Sequence, residues 1–383
     1  MNYRFQNSAI YKKIADFLVD YSTQVKKGDF VIIENFDIPN IMTSSLVEKI
    51  QKKGAHPIVW LKSWTVLNTL IKGNRLKEID VVSAYELSLM KKANVYISIR
   101  ASGGDRELDK LPKNKLAYFR RRWFKRVHYE QRMTNTRWCS VKWPTRYAAE
   151  CANMSQNKFE QYFFDTCIKF NYRYLSNKMN NLVRILDNTD RIRIVGKDTD
   201  ISFSKKNIKS QKSSGRFNLP DGEVFTAPVK KSLNGYITFN VPTLYNGYEF
   251  KELKFYFKNG KIINHDFKLG NLQVLETILN TDIGSRFIGE FGFGLNPLIK
   301  KPINDRMFDE KMSGSVHLAV GNSYKMADNG NRSNIHWDLI LNLTKKNGGG
   351  EIYFDNQLVN KDGLFIIDEL RCLNPKNVLK HED

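Results

Sequence analysis

Residues 29–62 read DFVIIENFDIPNIMTSSLVEKIQKKGAHPIVWLK, and their pattern of apolar and polar residues indicates how the first half of the chain folds. Its first segment, DFVIIEN (29–35), is a short apolar run typical of a buried strand. PIVWLK (57–62) predicts a second strand, and IPNIMTSSLVEKIQKKGAH (38–56) predicts the helix between them. The order strand, helix, strand is the pattern of a βαβ unit.

The same alternation continues beyond this stretch. KEIDVVSAYELSLMKKA (77–93) predicts a helix and NVYISIRA (94–101) a strand. We therefore predict an α/β N-terminal domain with a largely parallel sheet. The ASGGD turn after the last strand lies where open α/β sheets commonly bind ligands. Because it lacks the G-x-G-x-x-G pattern, it predicts no nucleotide site.

From residue 190 onward the pattern changes to short alternating segments separated by turns. Asn-Gly and Asp-Gly turns, as in NGYITFN, FKNGKIIN and NKDGLFII, are hairpin signals. We predict an α+β C-terminal domain dominated by antiparallel sheet, with one inserted helix at 271–281. Residues 154–186 predict one or two long amphipathic helices before it. The predicted domains are therefore residues 1–187 and 188–383.

The composition argues against several classes of protein. No apolar run approaches the ~20 residues that a membrane span needs, and the N-terminal segment has no signal-type hydrophobic stretch. The cysteines form no C-x-x-C pair, which is typical of reduced thiols and not of a disulfide framework or a thiolate zinc site. They are Cys139, Cys151, Cys167 and Cys372. We expect a soluble cytoplasmic protein without a transmembrane segment.

The formal net charge is +21, from 61 basic and 40 acidic residues. Such an excess attracts polyanions or anionic lipid, but it also fits a solvated surface. KNKLAYFRRRWFKRVHYEQR (113–132) interleaves arginines with aromatics, as nucleic-acid or membrane-surface helices do. We favour an amphipathic helix that buries Phe119, Trp123 and Phe124 and leaves His128 at the surface. Binding to nucleic acid or an acidic partner is therefore not the favoured interpretation.

Two of the six histidines have neighbours that suggest chemistry. In NRSNIHWDLI (331–340), His336 and Asp338 share one face of a strand, because successive side chains point to opposite faces. In GSVHLAVGNSY (314–324), His317 alternates with apolar residues. If these strands pair, the three side chains form a set that suits zinc, cobalt, manganese or iron. Each taken alone also fits an ordinary strand.

Two carboxylates could complete such a set. Glu223 opens the segment EVFTAP after the turn NLPDG, and Glu290 lies in the glycine-rich segment IGEFGFGLNP. An acid at a buried turn is costly unless it is paired or bound to a metal. A surface position is the alternative for each of them.

Four segments taken together resemble a known family. They are NLPDGEVFTAP (218–228), LNTDIGSRFIGEFGFGLNP (279–297), SVHLAVGNSY (315–324) and NIHWDLI (334–340). In this order they are similar to the signature segments of the thermophilic-type metalloaminopeptidases, the aminopeptidase T and aminopeptidase S group. The resemblance covers the whole second domain. It extends more weakly into the first domain, at VKKGDFVIIEN, KKGAHPIVWLK and RWCSVKWPT.

The resemblance implies an enzyme that removes N-terminal residues from peptides with a free N-terminus. By this resemblance, the metal ligands are Glu223, Glu290, His317, His336 and Asp338. A set of five ligands with three carboxylates suits two divalent ions, which would be zinc, cobalt or manganese. The ions would acidify a water for attack on the first peptide bond.

The resemblance also implies catalytic roles. Tyr324 would donate a hydrogen bond to the oxyanion, and Glu290 would act as general base, with a role as ligand alone as the alternative. A homodimer is expected from the family.

Two features depart from the family pattern. The spacing between His317 and His336 is shorter than in some members, so we expect the segment 325–333 to affect which substrates enter. The charge of +21 is not predicted by the resemblance. Two alternatives remain: a non-haem iron dioxygenase that uses only a His, His, Asp set, and a basic-surface binding protein with a vestigial metal site.

Overall fold

The computed structural model describes residues 3–73, 75–245 and 247–380. The chain forms two compact units. Unit 1 consists of residues 1–168 and 215–220, and unit 2 of residues 169–214 and 221–383.

The helices lie mostly in the first half of the chain. The α-helices are α1 (Tyr3–Asp16), α2 (Asn40–Lys52), α3 (Trp64–Gly73), α4 (Leu76–Lys92), α5 (Lys113–Phe119), α6 (Met133–Asn135), α7 (Arg146–Cys151), α8 (Gln156–Ile168), α9 (Tyr172–Asp187), α10 (Leu272–Leu279), α11 (Arg306–Asp309), α12 (Asp368–Arg371) and α13 (Pro375–Val378). Phe17–Ser22 and Arg120–Arg132 are π-helical. Gly104–Lys110, Lys325–Ala327 and Lys345–Asn347 are 3₁₀ turns.

The strands lie mostly in the second half. They are β1 (Phe30–Phe36), β2 (His56–Lys62), β3 (Val95–Ala101), β4 (Arg137–Trp143), β5 (Arg191–Gly196), β6 (Thr199–Ser204), β7 (Gln211–Ser213), β8 (Asn218–Leu219), β9 (Glu223–Thr226), β10 (Asn234–Phe239), β11 (Thr243–Tyr245), β12 (Tyr248–Phe250), β13 (Leu253–Lys258), β14 (Lys261–Asp266), β15 (Ile288–Gly294), β16 (Ser315–Gly321), β17 (His336–Asn342), β18 (Gly350–Phe354), β19 (Gln357–Lys361) and β20 (Leu364–Phe365).

The sheet of unit 1 is parallel throughout, in the order β2-β1-β3-β4-β8. Its second strand buries Val31, Ile32 and Ile33 almost completely, as expected where helices cover both faces of a parallel sheet. The predicted α/β class is therefore confirmed for the first half of the chain.

The segment 113–132 forms α5 and the π-helix that follows it. It buries Phe119 and Trp123 as predicted and packs Phe124 against the core. The surface position predicted for His128 is wrong, because this side chain is buried. In a π-helix, hydrogen bonds span five residues, so Trp123 and His128 lie on the same face.

Unit 2 is built on antiparallel sheets, which confirms the predicted α+β class. An eight-stranded sheet has the order β14-β13-β10-β6-β5-β18-β19-β20, and a five-stranded sheet has the order β17-β16-β15-β9-β7. β11 and β12 form a separate hairpin. The predicted helix at 271–281 corresponds to α10.

The division into units differs from the predicted division at residue 187. Residues 154–186 form two helices, α8 and α9, and α9 belongs to unit 2. Its amphipathic face buries Leu175, Met179 and Leu182, and it contacts β7, β9 and α12 within that unit. Residues 215–220 then return to unit 1, where β8 pairs with β4.

In the part of the chain that the structure describes, no helix is both long and apolar enough to cross a membrane. Among the residues that the structure describes, none of the four cysteines forms a disulfide.

Candidate metal centre

Four neighbouring strands carry the residues that the sequence singled out. β9 begins at Glu223, β15 contains Glu290, β16 contains His317, and β17 contains both His336 and Asp338. These strands are consecutive in the five-stranded sheet. Side chains on one face of neighbouring strands lie close together, and the structure brings all five of these residues into one cluster.

Glu290 lies between the two histidines. Its Oε1 is 3.1 Å from Nε2 of His317, and its Oε2 is 3.6 Å from Nε2 of His336. Nε2 of His317 is also 3.6 Å from Oε2 of Glu223, and Nε2 of His336 is 3.2 Å from Oδ1 of Asp338. The cluster therefore has two sides, each with one imidazole and one further carboxylate.

Two groups of three residues have ligand atoms close enough to share an ion. They are Glu223, Glu290 and His317, and Glu310, His317 and Asp338, with the ligand atoms of each group within 4.8 Å of one another. All of these side chains are buried. Oxygen and nitrogen ligands of these types, gathered at one point, are what a divalent metal ion requires.

Glu310 and Lys311 join the cluster although the sequence analysis did not single them out. Both directly follow α11 and are buried. The Lys311 ammonium forms an ion pair with Glu223 and lies 2.6 Å from Oε1 of Glu310 and 3.8 Å from Asp221. The segment FDEKMSG (308–314) does not alternate apolar with polar residues. Its sequence is therefore typical of an exposed turn and gives no sign that Glu310 and Lys311 are buried.

Gly292 makes room for the central imidazole. β15 and β16 pair Gly292 with His317, and the histidine ring lies across the glycine. A Cβ atom at this position would lie 2.3 Å from Cε1 and 2.5 Å from Nε2 of the ring. Glycine is therefore required at position 292 of the segment GEFGFG (289–294) for steric reasons, since a larger residue would displace a candidate ligand.

The buried charges shift one another's pKa values. Burial raises the pKa of Glu223. Burial acts in the opposite direction on His317, but its hydrogen bond with Glu290 and the charge of Glu223 raise its pKa to about 9. In the same way Asp338 raises the pKa of His336 to about 10 against the effect of burial. The carboxylates thus create a negative potential that favours cations.

Several buried atoms of the cluster have no hydrogen-bond partner among the described residues. They are Oε2 of Glu223, Oε2 of Glu290 and Nδ1 of His317. Buried polar atoms that lack a partner are costly. Bound divalent ions would satisfy the two carboxylate oxygens, so these residues fit a divalent metal centre.

The remaining predicted residue, Tyr324, lies at the edge of the cluster. Its ring packs against His336 with a centroid distance of 4.7 Å, and the residue is 43 % exposed. Nδ1–H of His336 donates to the carbonyl oxygen of Asn322 at 2.8 Å. This hydrogen bond fixes the imidazole so that Nε2 points towards the carboxylates.

Comparison with known proteins agrees with this chemistry. The sequence profile described as thermophilic metalloprotease (M29) matches residues 7–363. Aminopeptidase PepS of Streptococcus thermophilus is 30% identical over 170 residues, which cover 40% of each chain. Aminopeptidase T of Thermus aquaticus is 30% identical over 142 residues, which cover 32% of this chain and 34% of that protein. The chain thus matches two fifths or less of the length of these relatives.

A solved structure shows the same fold over nearly the whole chain. Wild-type AmpT from Thermus thermophilus superposes with a TM-score of 0.78 at 17% identity, and the match covers 95% of this chain and 100% of that chain. The family match extends through both units and includes every residue of the cluster. The chain belongs to the M29 family of thermophilic metalloproteases.

Proposed function

We propose that this chain is a metal-dependent aminopeptidase that hydrolyses the N-terminal residue from peptides at a centre of two divalent ions. The position of Glu290 between His317 and His336 carries the proposal. A carboxylate with one oxygen near each of two imidazoles would help to hold two divalent ions, the arrangement that two-metal hydrolases use.

The ligands in this proposal are the five residues that the family resemblance implies, with Glu310 as a sixth. Glu223 and His317 would hold one ion, and His336 and Asp338 the other, with Glu290 shared between them. Glu310 belongs to the second group of close ligand atoms together with Asp338. Zinc, cobalt and manganese suit these oxygen and nitrogen ligands.

Divalent ions held by these residues would supply an acidified water and would polarise the carbonyl of the peptide bond. We assign proton acceptance to Glu290, in addition to its role as a ligand. Tyr324 would donate a hydrogen bond to the oxyanion. Loss of hydration and the charges of Glu290 and Asp338 raise the pKa of Tyr324 well above its usual value, so its hydroxyl stays protonated and able to donate.

The proposed substrate is a peptide with a free α-amino group. The buried carboxylates of the cluster offer the negative potential that such a group needs. The segment 325–333 joins Tyr324 to β17 and is held by hydrogen bonds from Asn329 to the carbonyl oxygens of Pro228 and Ile288. We propose that this short, fixed segment limits the side chains that the enzyme accepts.

The alternative functions have less support. An iron dioxygenase of the type considered needs only two histidines and one aspartate. In this chain Glu223, Glu290 and Glu310 lie in the same buried cluster, and an iron site of that type has no need of them. A vestigial metal site would not require the complete set of buried ligands. The homodimer and the cytoplasmic location stay predictions.

Release of free amino acid from unblocked aminoacyl arylamides tests the proposal. We expect release that is abolished by a chelator and restored by zinc, cobalt or manganese, and about two ions per chain by metal analysis. A panel of N-terminal residues would define the preference. No release with any of these metals would contradict the proposal.

Two glutamate variants sharpen this experiment. Glu290→Gln keeps the shape of the side chain and removes its charge, so we expect loss of activity. Metal analysis of this variant separates the roles of Glu290: retained ions indicate a proton acceptor, and lost ions a ligand. Glu369→Gln is the matched control, because Glu369 is exposed and belongs to α12. Its activity should equal that of the wild type.

A further inference from the structure

Unit 1 contains a cavity of about 260 Å³. Glu34 of β1, Lys62 of β2 and Arg100 of β3 line it on one side. Trp123 and His128 of the π-helix line it on the other. All of these residues belong to unit 1, and none of the candidate metal ligands lines the cavity.

The cavity lies where open α/β sheets bind ligands. The chain places β2 on one side of β1 and then returns to place β3 on the other side, so the strand order reverses between β1 and β3. Glu34 and Arg100 lie near the carboxyl ends of these two strands. The crevice beyond the carboxyl ends at such a reversal is the usual ligand position in this class of fold.

A buried ion network forms one wall of the cavity. The completely buried Glu34 is 3.0 Å from Nζ of Lys62, and it accepts hydrogen bonds from Arg100 at 2.6 Å and from the hydroxyl of Tyr96 at 2.5 Å. Replacing buried ion pairs with apolar side chains is often neutral or stabilising. Stability alone therefore does not account for this network.

Several donors of the cavity wall are left over. Within the described residues, the hydrogen bonds of Arg100 use Nε and Nη2, which leaves Nη1 for a ligand. Nε1 of Trp64, which is a donor, and Nδ1 of His128, which donates in one of the two neutral tautomers, are buried and have no hydrogen-bond partner in the described part of the chain. The Glu34 carboxylate already has its acceptors occupied, so the wall offers donors to an anion more readily than acceptors to a cation.

Much of the remaining wall is apolar and aromatic, and the charged residues Asp105 and Arg120 also line it. Phe119, Trp123 and Phe124 line the cavity from the helical segment 113–132, and Leu67 lines it from α3. Such a surface binds an apolar body. The volume of the cavity lies slightly below the ~300–1,000 Å³ of typical ligand pockets, so the ligand must be small.

We propose that this cavity binds a small organic carboxylate with an aromatic or branched apolar body. The carboxylate accepts hydrogen bonds from Arg100 and Trp64, and the body packs against Phe119 and Trp123. A free apolar amino acid and an aromatic acid without an amino group share this chemistry. The proposal does not depend on the aminopeptidase activity.

Calorimetric titration of the full-length chain with three related probes tests the proposal. The probes are L-phenylalanine, 3-phenylpropionate and 2-phenylethylamine, which carry both charged groups, the carboxylate alone and the amine alone. We expect at least one of the two probes that have a carboxylate to bind saturably, with a Kd of ~1 mM or lower. We expect no binding of 2-phenylethylamine. Binding of L-phenylalanine alone identifies an amino-acid site, and binding of both acids a general carboxylate site. No saturable binding of either acid, or equal binding of the amine, would overturn the proposal.

Variants locate the ligand within the molecule. Trp64→Phe removes one N–H and keeps the aromatic ring, so we expect about tenfold weaker binding. Leu67→Trp fills the cavity and should abolish binding, with circular dichroism as the check on folding. Arg121→Gln is the control, because Arg121 belongs to the π-helix that carries Trp123 and does not itself line the cavity. If Glu223→Gln abolishes binding and the cavity variants do not, the ligand binds in the candidate metal centre and the proposal is wrong.

Discussion

Gly292 contributes to the candidate metal centre by having no side chain. The neighbouring strand places His317 directly opposite it, and the imidazole occupies the space that a Cβ atom would take. Composition alone identifies GEFGFG as a flexible, glycine-rich segment. The need for a glycine opposite His317 depends on the register between the two strands, which a single sequence does not reveal.

We expect Gly292→Ala to displace the imidazole of His317 and to lower the proposed aminopeptidase activity about 10²-fold, since misplacement of catalytic groups by ~1 Å has effects of this size. Steady-state kinetics and metal analysis measure the two consequences. Gly73→Ala is the matched control, because an added Cβ there meets nothing within 4 Å. Wild-type activity in Gly292→Ala would show that the ring position is not critical.

His128 illustrates a buried residue whose ionisation affects stability. Burial, together with the positive charges of Arg100 and Arg132, lowers its pKa well below the usual value, although Glu34 acts in the opposite direction. The folded state therefore holds the imidazole neutral, while the unfolded state binds a proton below pH ~6.5. The contribution of His128 to the free energy of unfolding is complete above that pH and is lost as the pH falls.

We expect the free energy of unfolding of the wild type to fall by up to ~1.4 kcal/mol for each unit of pH below pH ~6.5, as far as His128 contributes. His128→Phe keeps an aromatic ring beside Tyr96 and Phe124 and should show a smaller slope. Urea denaturation at several pH values measures both slopes. Identical slopes would mean that His128 titrates normally.

For individual helices and strands, the local sequence pattern predicted whether a segment is a helix or a strand better than it predicted where that segment lies in the fold. The apolar runs predicted β1, β2 and β3 to within about one residue at each end. The pairing of His336 with Asp338 on one face also followed from alternation alone. The convergence of β9, β15, β16 and β17 depends on strand order, and the family resemblance was needed to connect their residues. Glu310 lies outside any strand and therefore escaped both kinds of argument.

The helical segment 113–132 has the composition of a nucleic-acid or membrane-surface helix, but its aromatic residues Phe119 and Trp123 belong to the core of unit 1. Its arginines and aromatics suggested a binding helix, whereas Trp123 is buried and its Nε1–H donates to Glu86 at 2.7 Å. We expect Trp123→Ala to lower the free energy of unfolding by ~3–5 kcal/mol, as other buried tryptophan truncations do. Arg121→Ala should change it by less than ~0.5 kcal/mol. Urea denaturation compares the two variants, and similar values for both would contradict a structural role.

We expect metal binding to affect the stability of unit 2 as well as its activity. The candidate ligands come from four strands and from the turn after α11, so bound ions would connect distant parts of unit 2. Ligands that bind only the folded state stabilise it by ~4 kcal/mol at 1,000 times their Kd.

We expect chelation to lower the midpoint of thermal unfolding by several degrees, since ~1 kcal/mol corresponds to ~2–4 °C for units of 150–250 residues. Circular dichroism and calorimetry measure the shift. Glu223→Gln should show a smaller response to the chelator than the wild type. An unchanged midpoint in the wild type would indicate that the ions contribute little to folding.

The path of the chain between the two units has a consequence for synthesis. β8, the edge strand beside β4, lies in residues 215–220, which follow a long stretch of unit 2. On the ribosome, the sheet of unit 1 therefore cannot be completed until residues 169–214 have emerged. Until then β4 has an open edge, and unpaired edges promote association between chains. A fragment that ends at residue 187 would keep this exposed edge permanently, so it should aggregate more readily than the full chain.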